Sequence, residues 1–164
     1  MIRFNNYSTD NFENDYGKKT TIWVRGSGSS DVVNRTDVSE YDAIVLEGDY
    51  CHYPIIPSGH PEALCRYIDA GKKLTNYDFE LHDSLKKASG IKFPTSGLMT
   101  IWAAYSVKNE LKSLDIYGFA FRNHQKENVA THYFSDRSED EAIEKTKVHQ
   151  LDKESKFILS ILSD

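Results

Sequence analysis

The chain has 164 residues, a length that suits one core, and we interpret residues 1–164 as a single domain. Its formal net charge is -5 and its basic residues form no stripe, which argues against a nucleic-acid partner. No apolar stretch approaches the ~20 residues of a membrane-spanning helix, and the N-terminus has no signal-peptide core, so we expect a cytoplasmic protein without a transmembrane segment.

The first half of the chain alternates predicted strands with turns and a helix. Strands are predicted at 1–4, 20–24 and 43–46, where apolar and β-branched residues concentrate. The continuous apolar run at 43–46 is typical of a parallel strand that is covered on both faces. Pro61 suits the first turn of a helix, which we expect to end near Gly71.

The segment 25–30, which is rich in Gly and Ser, follows the second predicted strand. Such a loop can cradle a phosphate, but its spacing is not G-x-G-x-x-G, and the same composition is typical of a plain turn. Both interpretations stay open from the residues alone.

The second half of the chain predicts three helices and one further strand. Apolar residues at helical spacing from Leu81 to Ala88 predict a helix that Gly90 ends. The apolar stretch 98–107 predicts a buried helix, and 114–117 predicts the last strand. A terminal helix is predicted to direct five apolar residues toward the core, namely Leu151, Phe157, Ile158, Ile161 and Leu162.

Strands that alternate with helices, without hairpin turn signals, predict an α/β fold with a doubly wound, mostly parallel sheet and flanking helices. Ligands in such folds bind beyond the carboxyl ends of the strands. We therefore expect functional residues in the loops after strands and at the starts of helices.

The turn at 94–97, Pro-Thr-Ser-Gly, lies between an extended segment and the buried helix. Backbone N–H groups at a helix start have no intrahelical acceptor, so Thr95, Ser96 and Gly97 are candidates for holding an anion. Ser96 lies in no G-x-S-x-G elbow, which argues against a hydrolase nucleophile.

Two histidines in the C-terminal third, His132 and His149, are candidates for proton transfer. Histidine exchanges a proton near neutral pH, so either could act as a general base when it lies within hydrogen-bond reach of a reacting hydroxyl. The residues alone favour a structural interpretation, in which His132 packs among aromatic residues and His149 caps a helix.

The other charged residues and the cysteines indicate no metal site. The acidic run 138–141 is typical of a solvated first helical turn. The remaining histidines have no ligand spacing with one another or with Cys51 and Cys65, so we expect no metal and no other cofactor. The two cysteines are predicted to be free thiols.

Taken in chain order, these segments resemble glycosyltransferase family 29, the eukaryotic-type sialyltransferases and their bacterial relatives. Arg3-Phe4-Asn5 is similar to the Arg-x-Asn end of the large motif of the family, and 16–24 is similar to the stretch that follows it in bacterial members. The turn 94–97, together with Tyr-Gly-Phe at 117–119, resembles the small motif.

The later motifs of the family also have counterparts in this chain. His132-Tyr133-Phe134 resembles the third motif, and His149 followed five residues later by Glu154 resembles the last one. Each match alone is common, but four in the same order span nearly the whole chain. The resemblance implies a Rossmann-like fold of sialyltransferase type.

The activity that this resemblance implies is inverting, metal-independent transfer of sialic acid from its cytidine monophosphate (CMP) donor to a sugar hydroxyl of a glycan. His149 would then be the base that deprotonates the acceptor, and His132 would hydrogen-bond the departing phosphate. Five residues would contact the nucleotide or its phosphate, namely Asn5, Thr95, Ser96, Gly97 and Tyr133. Two residues would support the site, namely Arg3 and Glu154.

The chain departs from the family pattern at its start. In the family a first strand and a Gly/Asn/Ser loop precede the Arg-x-Asn element, so we expect an N-terminally shortened domain that lacks its first strand. The sheet edge that this exposes predicts a homo-oligomer. The bacterial relatives imply a location in the cytoplasm, peripheral to the inner face of a membrane, and a surface polysaccharide or glycolipid as the acceptor.

Two alternative functions remain open. The chain could be a catalytically silent remnant that binds a nucleotide, a glycan or a partner subunit. It could also transfer another CMP-activated sugar such as Kdo, because the nucleotide chemistry is the same.

Overall fold

The computed structural model describes residues 1–5, 7–10, 13–26, 35–47, 61–116 and 150–163. It divides the chain into two compact units, Met1–Phe79 and Glu80–Asp164.

In its described residues, the first unit contains a parallel sheet of four strands in the order β1-β2-β3-β4. The strands are β1 (Ile2–Phe4), β2 (Ile22–Gly26), β3 (Ala43–Glu47) and β4 (Lys73–Thr75), and each pairs in parallel with the next. In the described part of the connections between strands there are two helices, α1 (Glu13–Tyr16) and α2 (Pro61–Asp69). Because all strands run the same way, their carboxyl ends lie at one edge of the sheet.

The core of the first unit is aromatic. Trp23 of β2 is fully buried and packs against Tyr41, with ring centroids 5.7 Å apart, and edge-on against Tyr67 of α2 at 6.0 Å. The same cluster also contains Ile44 of β3, Tyr7 and Val38. Burial of such large rings supplies much of the apolar stabilisation, since each buries on the order of 150–250 Å².

The second unit is helical in its described part, which contains α3 (Phe79–Ser89), α4 (Ser96–Ser106), a 3₁₀ turn (Lys108–Glu110) and α5 (Leu151–Leu162). Helices α4 and α5 contact each other, and the ring of Trp102 lies 5.7 Å from that of Phe157. The buried residues of α4 are Gly97, Leu98, Met99 and Ile101. Those of α5 are Glu154, Ile158 and Ile161.

The parallel sheet and its helices confirm the predicted α/β class. The strands predicted at 1–4, 20–24 and 43–46 are present, although β2 begins at Ile22, two residues later than predicted. The helices predicted in 61–71, 81–90, 98–107 and the C-terminal segment are also present as α2, α3, α4 and α5. Local apolar spacing is sufficient for these elements because each buries one face.

Two strand predictions need correction. The strand predicted at 114–117 is wrong for its described part, because 113–116 has no regular structure and pairs with no strand within the described ranges. Residue 117 lies outside them. The sequence also gave no sign of β4, whose only apolar residue among Lys73–Thr75 is Leu74, and which is a strand because it pairs with β3.

Candidate functional site

The turn at 94–97 starts α4 through a threonine cap. Thr95 has extended backbone angles, φ -73° and ψ 160°, which are typical of an N-cap residue, and its Oγ1 accepts a hydrogen bond from the Leu98 N–H at 3.2 Å. The Thr95 carbonyl accepts the Met99 N–H at 2.9 Å. Thr95 therefore satisfies one helix-start donor that has no intrahelical acceptor, the Leu98 N–H, and its carbonyl accepts the first intrahelical hydrogen bond.

The carboxylate of Glu154 binds Thr95 through two hydrogen bonds. The Thr95 N–H donates to Oε1 at 2.8 Å, and the Thr95 hydroxyl is 2.6 Å from Oε2. Glu154 lies on the inner face of α5 and is only 4% exposed. The contact joins two segments that resemble family motifs. Thr95 lies in the turn that resembles the small motif, and Glu154 lies in the segment that resembles the last motif.

Burial shifts the titration of this carboxyl group. The pKa of Glu154 is raised from 4.5 to about 7. Desolvation causes the rise and outweighs the two hydrogen bonds from Thr95, which lower the pKa because they favour the charged form. The group therefore changes charge near neutral pH. A buried carboxyl with such a pKa is a feature that functional sites share with structural networks.

The first turn of α5 is held by two further features. Lys153 donates from Nζ to the carbonyl of Gly90 at 3.0 Å, and Gly90 ends α3 with a left-handed φ of 65°. Gln150, the N-cap of α5, is also left-handed at φ 50°, and its carbonyl accepts N–H groups from Lys153 and Glu154. Few residues other than Gly, Asn and Asp adopt this conformation, so the chain enters α5 along a constrained path.

Two donors remain at the start of α4. Within the described residues, no partner is found for the N–H groups of Ser96 and Gly97, whereas Thr95 uses its N–H and its hydroxyl on Glu154. Unsatisfied N–H groups at a helix start suit a phosphate or carboxylate oxygen. The candidate anion donors are therefore the N–H groups of Ser96 and Gly97. Thr95 instead stabilises the turn through its contacts with Glu154 and Leu98.

The remaining described candidates, Arg3 and Asn5, belong to the first unit. Arg3 is buried and donates from Nε to the Thr20 hydroxyl at 3.1 Å and from its guanidinium to the Gly17 carbonyl at 2.7 Å. These contacts tie β1 to the chain that enters β2. The expected supporting role of Arg3 stays a prediction, and its contacts are of the kind that such a role needs.

Asn5 lies at the carboxyl end of β1, with a left-handed φ of 47°. Its Oδ1 accepts the Gly26 N–H at 2.8 Å, and its carbonyl accepts the indole N–H of Trp23, also at 2.8 Å. The residue thus sits at the sheet edge where parallel α/β folds bind ligands. The side-chain oxygen is already engaged, so a ligand contact by Asn5 would use its amide NH₂.

One polar cluster in the first unit has no counterpart among the sequence-predicted candidates. The Tyr7 hydroxyl is 2.8 Å from both the Glu40 carboxylate and the Tyr41 hydroxyl. Arg35 lies over the Tyr7 ring at 4.1 Å and donates to the Tyr7 carbonyl. Burial raises the pKa of Tyr41 and of Tyr7. Only the high tyrosine content hinted at such a cluster, because its members are far apart in the chain.

Several sequence predictions lie outside the described residues. They are His132, Tyr133, His149, Cys51, the loop residues 27–30 and the acidic run 138–141. Cys65 is a free, exposed thiol. In the described part of the chain, no three His, Cys, Asp or Glu side chains are grouped as a metal ion would require, and no helix has the length and apolar character needed to cross a membrane.

Comparison with known proteins assigns a family to the chain. The family model described as glycosyltransferase family 29 (sialyltransferase) matches residues 72–164, which is more than half of the chain and includes the turn at 94–97, Glu154 and the two candidate histidines. Searches of curated proteins and of solved structures gave no significant match. On the strength of the family match, which agrees with the parallel α/β fold, this chain belongs to glycosyltransferase family 29.

Proposed function

We propose that the chain is an inverting glycosyltransferase that moves sialic acid from CMP-sialic acid to a sugar hydroxyl of a glycan. His149 is the proposed base, which removes the proton of the acceptor hydroxyl as that oxygen attacks the donor carbon. His132 is the proposed partner of the departing phosphate. Together they supply the proton removal and the charge stabilisation that an oxocarbenium-like transition state needs.

The proposed phosphate site uses the start of α4. The N–H groups of Ser96 and Gly97 belong to the first turn of α4, where the helix dipole favours a negative charge. Thr95 keeps this turn in place, and Tyr133 is a further proposed nucleotide contact. A nucleotide contact by the Asn5 amide is proposed from the family resemblance alone. Because these donors and His132 would stabilise the leaving group, the proposal needs no metal and no other cofactor.

The contact between Thr95 and Glu154 is the observation that best supports this proposal. It joins the two segments that resemble the small and last motifs of the family, through hydrogen bonds of 2.8 and 2.6 Å. Both segments lie inside the family match at 72–164. A contact between two motif-like segments is expected when they build one site, since His149 lies just before α5.

The test is a titration with CMP followed by turnover of CMP-sialic acid with a glycan acceptor. Wild-type protein is expected to bind CMP and to release it from the donor in the presence of acceptor. His149→Ala should retain CMP binding and lose roughly 10²-fold or more of the turnover, because general base catalysis contributes typically 10²–10⁴-fold. His52→Ala, at a histidine without an assigned role, is the matched control.

The alternatives are separate outcomes of the same experiment. CMP binding without turnover of any donor would indicate a silent remnant, and turnover of a CMP-Kdo donor in place of CMP-sialic acid would change the proposed sugar. Full turnover by His149→Ala would refute the assigned base. A panel of glycan acceptors, including a polysaccharide of a bacterial surface, would then define the acceptor.

A further inference from the structure

Glu154 has an arrangement that can hold a proton without moving. As a carboxylate it accepts both Thr95 donors, one on each oxygen. As a carboxylic acid it can donate from Oε2 to the same Thr95 hydroxyl, which has two lone pairs, while Oε1 still accepts the Thr95 N–H. The separation of 2.6 Å between Oε2 and Oγ1 suits either direction of donation.

Among the residues that the structure describes, no cationic side chain is paired with Glu154, and burial together with the Thr95 hydrogen bonds accounts for the shift of its pKa. Helix α4, which packs against α5, carries no Asp, Glu, Lys, Arg or His, and its one titratable group is Tyr105. On α5 itself, Lys153 is bound to the Gly90 carbonyl, and Asp152 and Lys156 are exposed. Lys92, before the turn, lies over the ring of Phe93 at 5.2 Å.

A phosphate at the start of α4 would meet this carboxylate at close range. Ser96 and Gly97, the donors proposed for the phosphate, directly follow the residue that Glu154 binds. Two negative groups near one another in a buried setting disfavour each other's charge, and the group that titrates near neutral pH responds first. The burial of Glu154 limits screening by salt.

We propose that Glu154 is a positioning residue that couples nucleotide binding to the uptake of a proton. It holds Thr95 as a carboxylate in the free protein and as a carboxylic acid when the phosphate of CMP is bound, so that the turn keeps its geometry in both states. The inference rests on the proposed function, because it takes CMP as the ligand of this turn. The proton comes from the solvent, and no bond other than O–H is made or broken.

The linkage has a measurable size. Above neutral pH the free protein carries the charged form and the complex the neutral form, so binding takes up about half a proton or more at pH 7.5. The affinity for CMP should fall by up to about tenfold for each pH unit above 7 until the complex also loses its proton. If Glu154 had only a structural role, Glu154→Gln would change neither the proton uptake on CMP binding nor the pH dependence of the affinity.

The experiment is calorimetric titration of the full chain with CMP at pH 7.5, in Tris and in HEPES, whose ionisation enthalpies differ. The difference in binding heat gives the protons taken up. Glu154→Gln keeps the shape and the acceptor for the Thr95 N–H but cannot ionise, and should lose the uptake and the steep pH dependence. Glu110→Gln, at an exposed glutamate in the same unit, is the matched control and should behave as wild type.

A second variant tests the same link through Thr95. Thr95→Val removes the hydroxyl that favours the charged carboxylate and so raises the pKa of Glu154 further. Under conditions where this variant is folded, the proton uptake per bound CMP at pH 7.5 should shrink. Circular dichroism verifies that each variant is folded. Equal uptake in wild type and Glu154→Gln would overturn the inference and leave the proposed function standing. No binding of CMP by folded wild type would overturn the proposed nucleotide site and this inference with it.

Discussion

Glu154 on α5 accepts two hydrogen bonds from Thr95, a residue 59 positions earlier that caps α4. The Thr95 hydroxyl therefore has two roles. It donates to Glu154, and it accepts a hydrogen bond from the Leu98 N–H in the first turn of α4. A single side chain links a helix cap to a buried carboxyl group. A change at either residue should consequently alter the stability of the contact that the other makes.

Replacement of Glu154 by Gln should remove a pH-dependent part of the stability. The pKa of Glu154 is 4.5 when unfolded and about 7 when folded, so the folded state binds the extra proton and stability falls as the pH rises through this window. The loss amounts to roughly 1.4 kcal/mol per pH unit. In urea unfolding between pH 4.5 and 8, the free energy of unfolding of Glu154→Gln should rise relative to that of wild type by about 3 kcal/mol in total. A constant difference across this range would contradict the raised pKa, and Glu110→Gln should show no such trend.

Replacement of Thr95 by Val should destabilise the second unit. The Leu98 N–H loses its cap and Oε2 of Glu154 loses its hydroxyl partner, which together cost about 1–3 kcal/mol. Thr95→Ser keeps both contacts and should stay within about 0.5 kcal/mol of wild type. Chemical denaturation at pH 7 measures both. Combined with Glu154→Gln in a double-mutant cycle, Thr95→Val should be non-additive, and simple additivity would argue against direct coupling.

The end of α3 predicts a cost for a side chain at Gly90. Its φ of 65° is left-handed, and a Cβ there would lie 3.5 Å from Nζ of Lys153, an ordinary contact distance. The cost of Gly90→Ala is therefore conformational, on the order of 1–2 kcal/mol. Gly90→Asn should cost less, because Asn tolerates this conformation. Thermal unfolding distinguishes the two, and equal losses would point to a steric cause instead.

Asn5 offers a similar comparison in the first unit. Asn5→Asp keeps an acceptor for the Gly26 N–H and tolerates φ 47°, so it should be the mildest change. Asn5→Gly relieves the backbone but loses the acceptor, and Asn5→Ala loses the acceptor and keeps the strain. The stability order should be Asp, then Gly, then Ala, with about 1–2 kcal/mol between wild type and Ala. Denaturant midpoints of the three variants measure this order, and an Ala variant as stable as the Asp variant would show that neither contact matters.

The sequence predicted β1, β2 and β3, the helices α2 to α5 and the turn at 94–97 because these depend on local patterns, but it did not predict α1 or the 3₁₀ turn. Apolar spacing places α3, α4 and α5, and the Pro-Thr-Ser-Gly run contains its own cap. It failed at β4 and at 114–117 because a strand is completed by its partner. Leu74 is in a strand since β3 lies beside it, whereas the more apolar 114–116 has no partner within the described ranges.

Motif order along the chain was enough to suggest the family, which the match at 72–164 then established. Motif order could not predict which group accepts the hydrogen bond from the Thr95 N–H, the first donor of the turn. Only the tertiary structure decided that Thr95 is engaged by Glu154, that this carboxyl group is buried, and that Ser96 and Gly97 are left as donors. The reason is physical: a pKa and a hydrogen-bond partner depend on what packs around a group, and segments distant in the chain meet only when it folds.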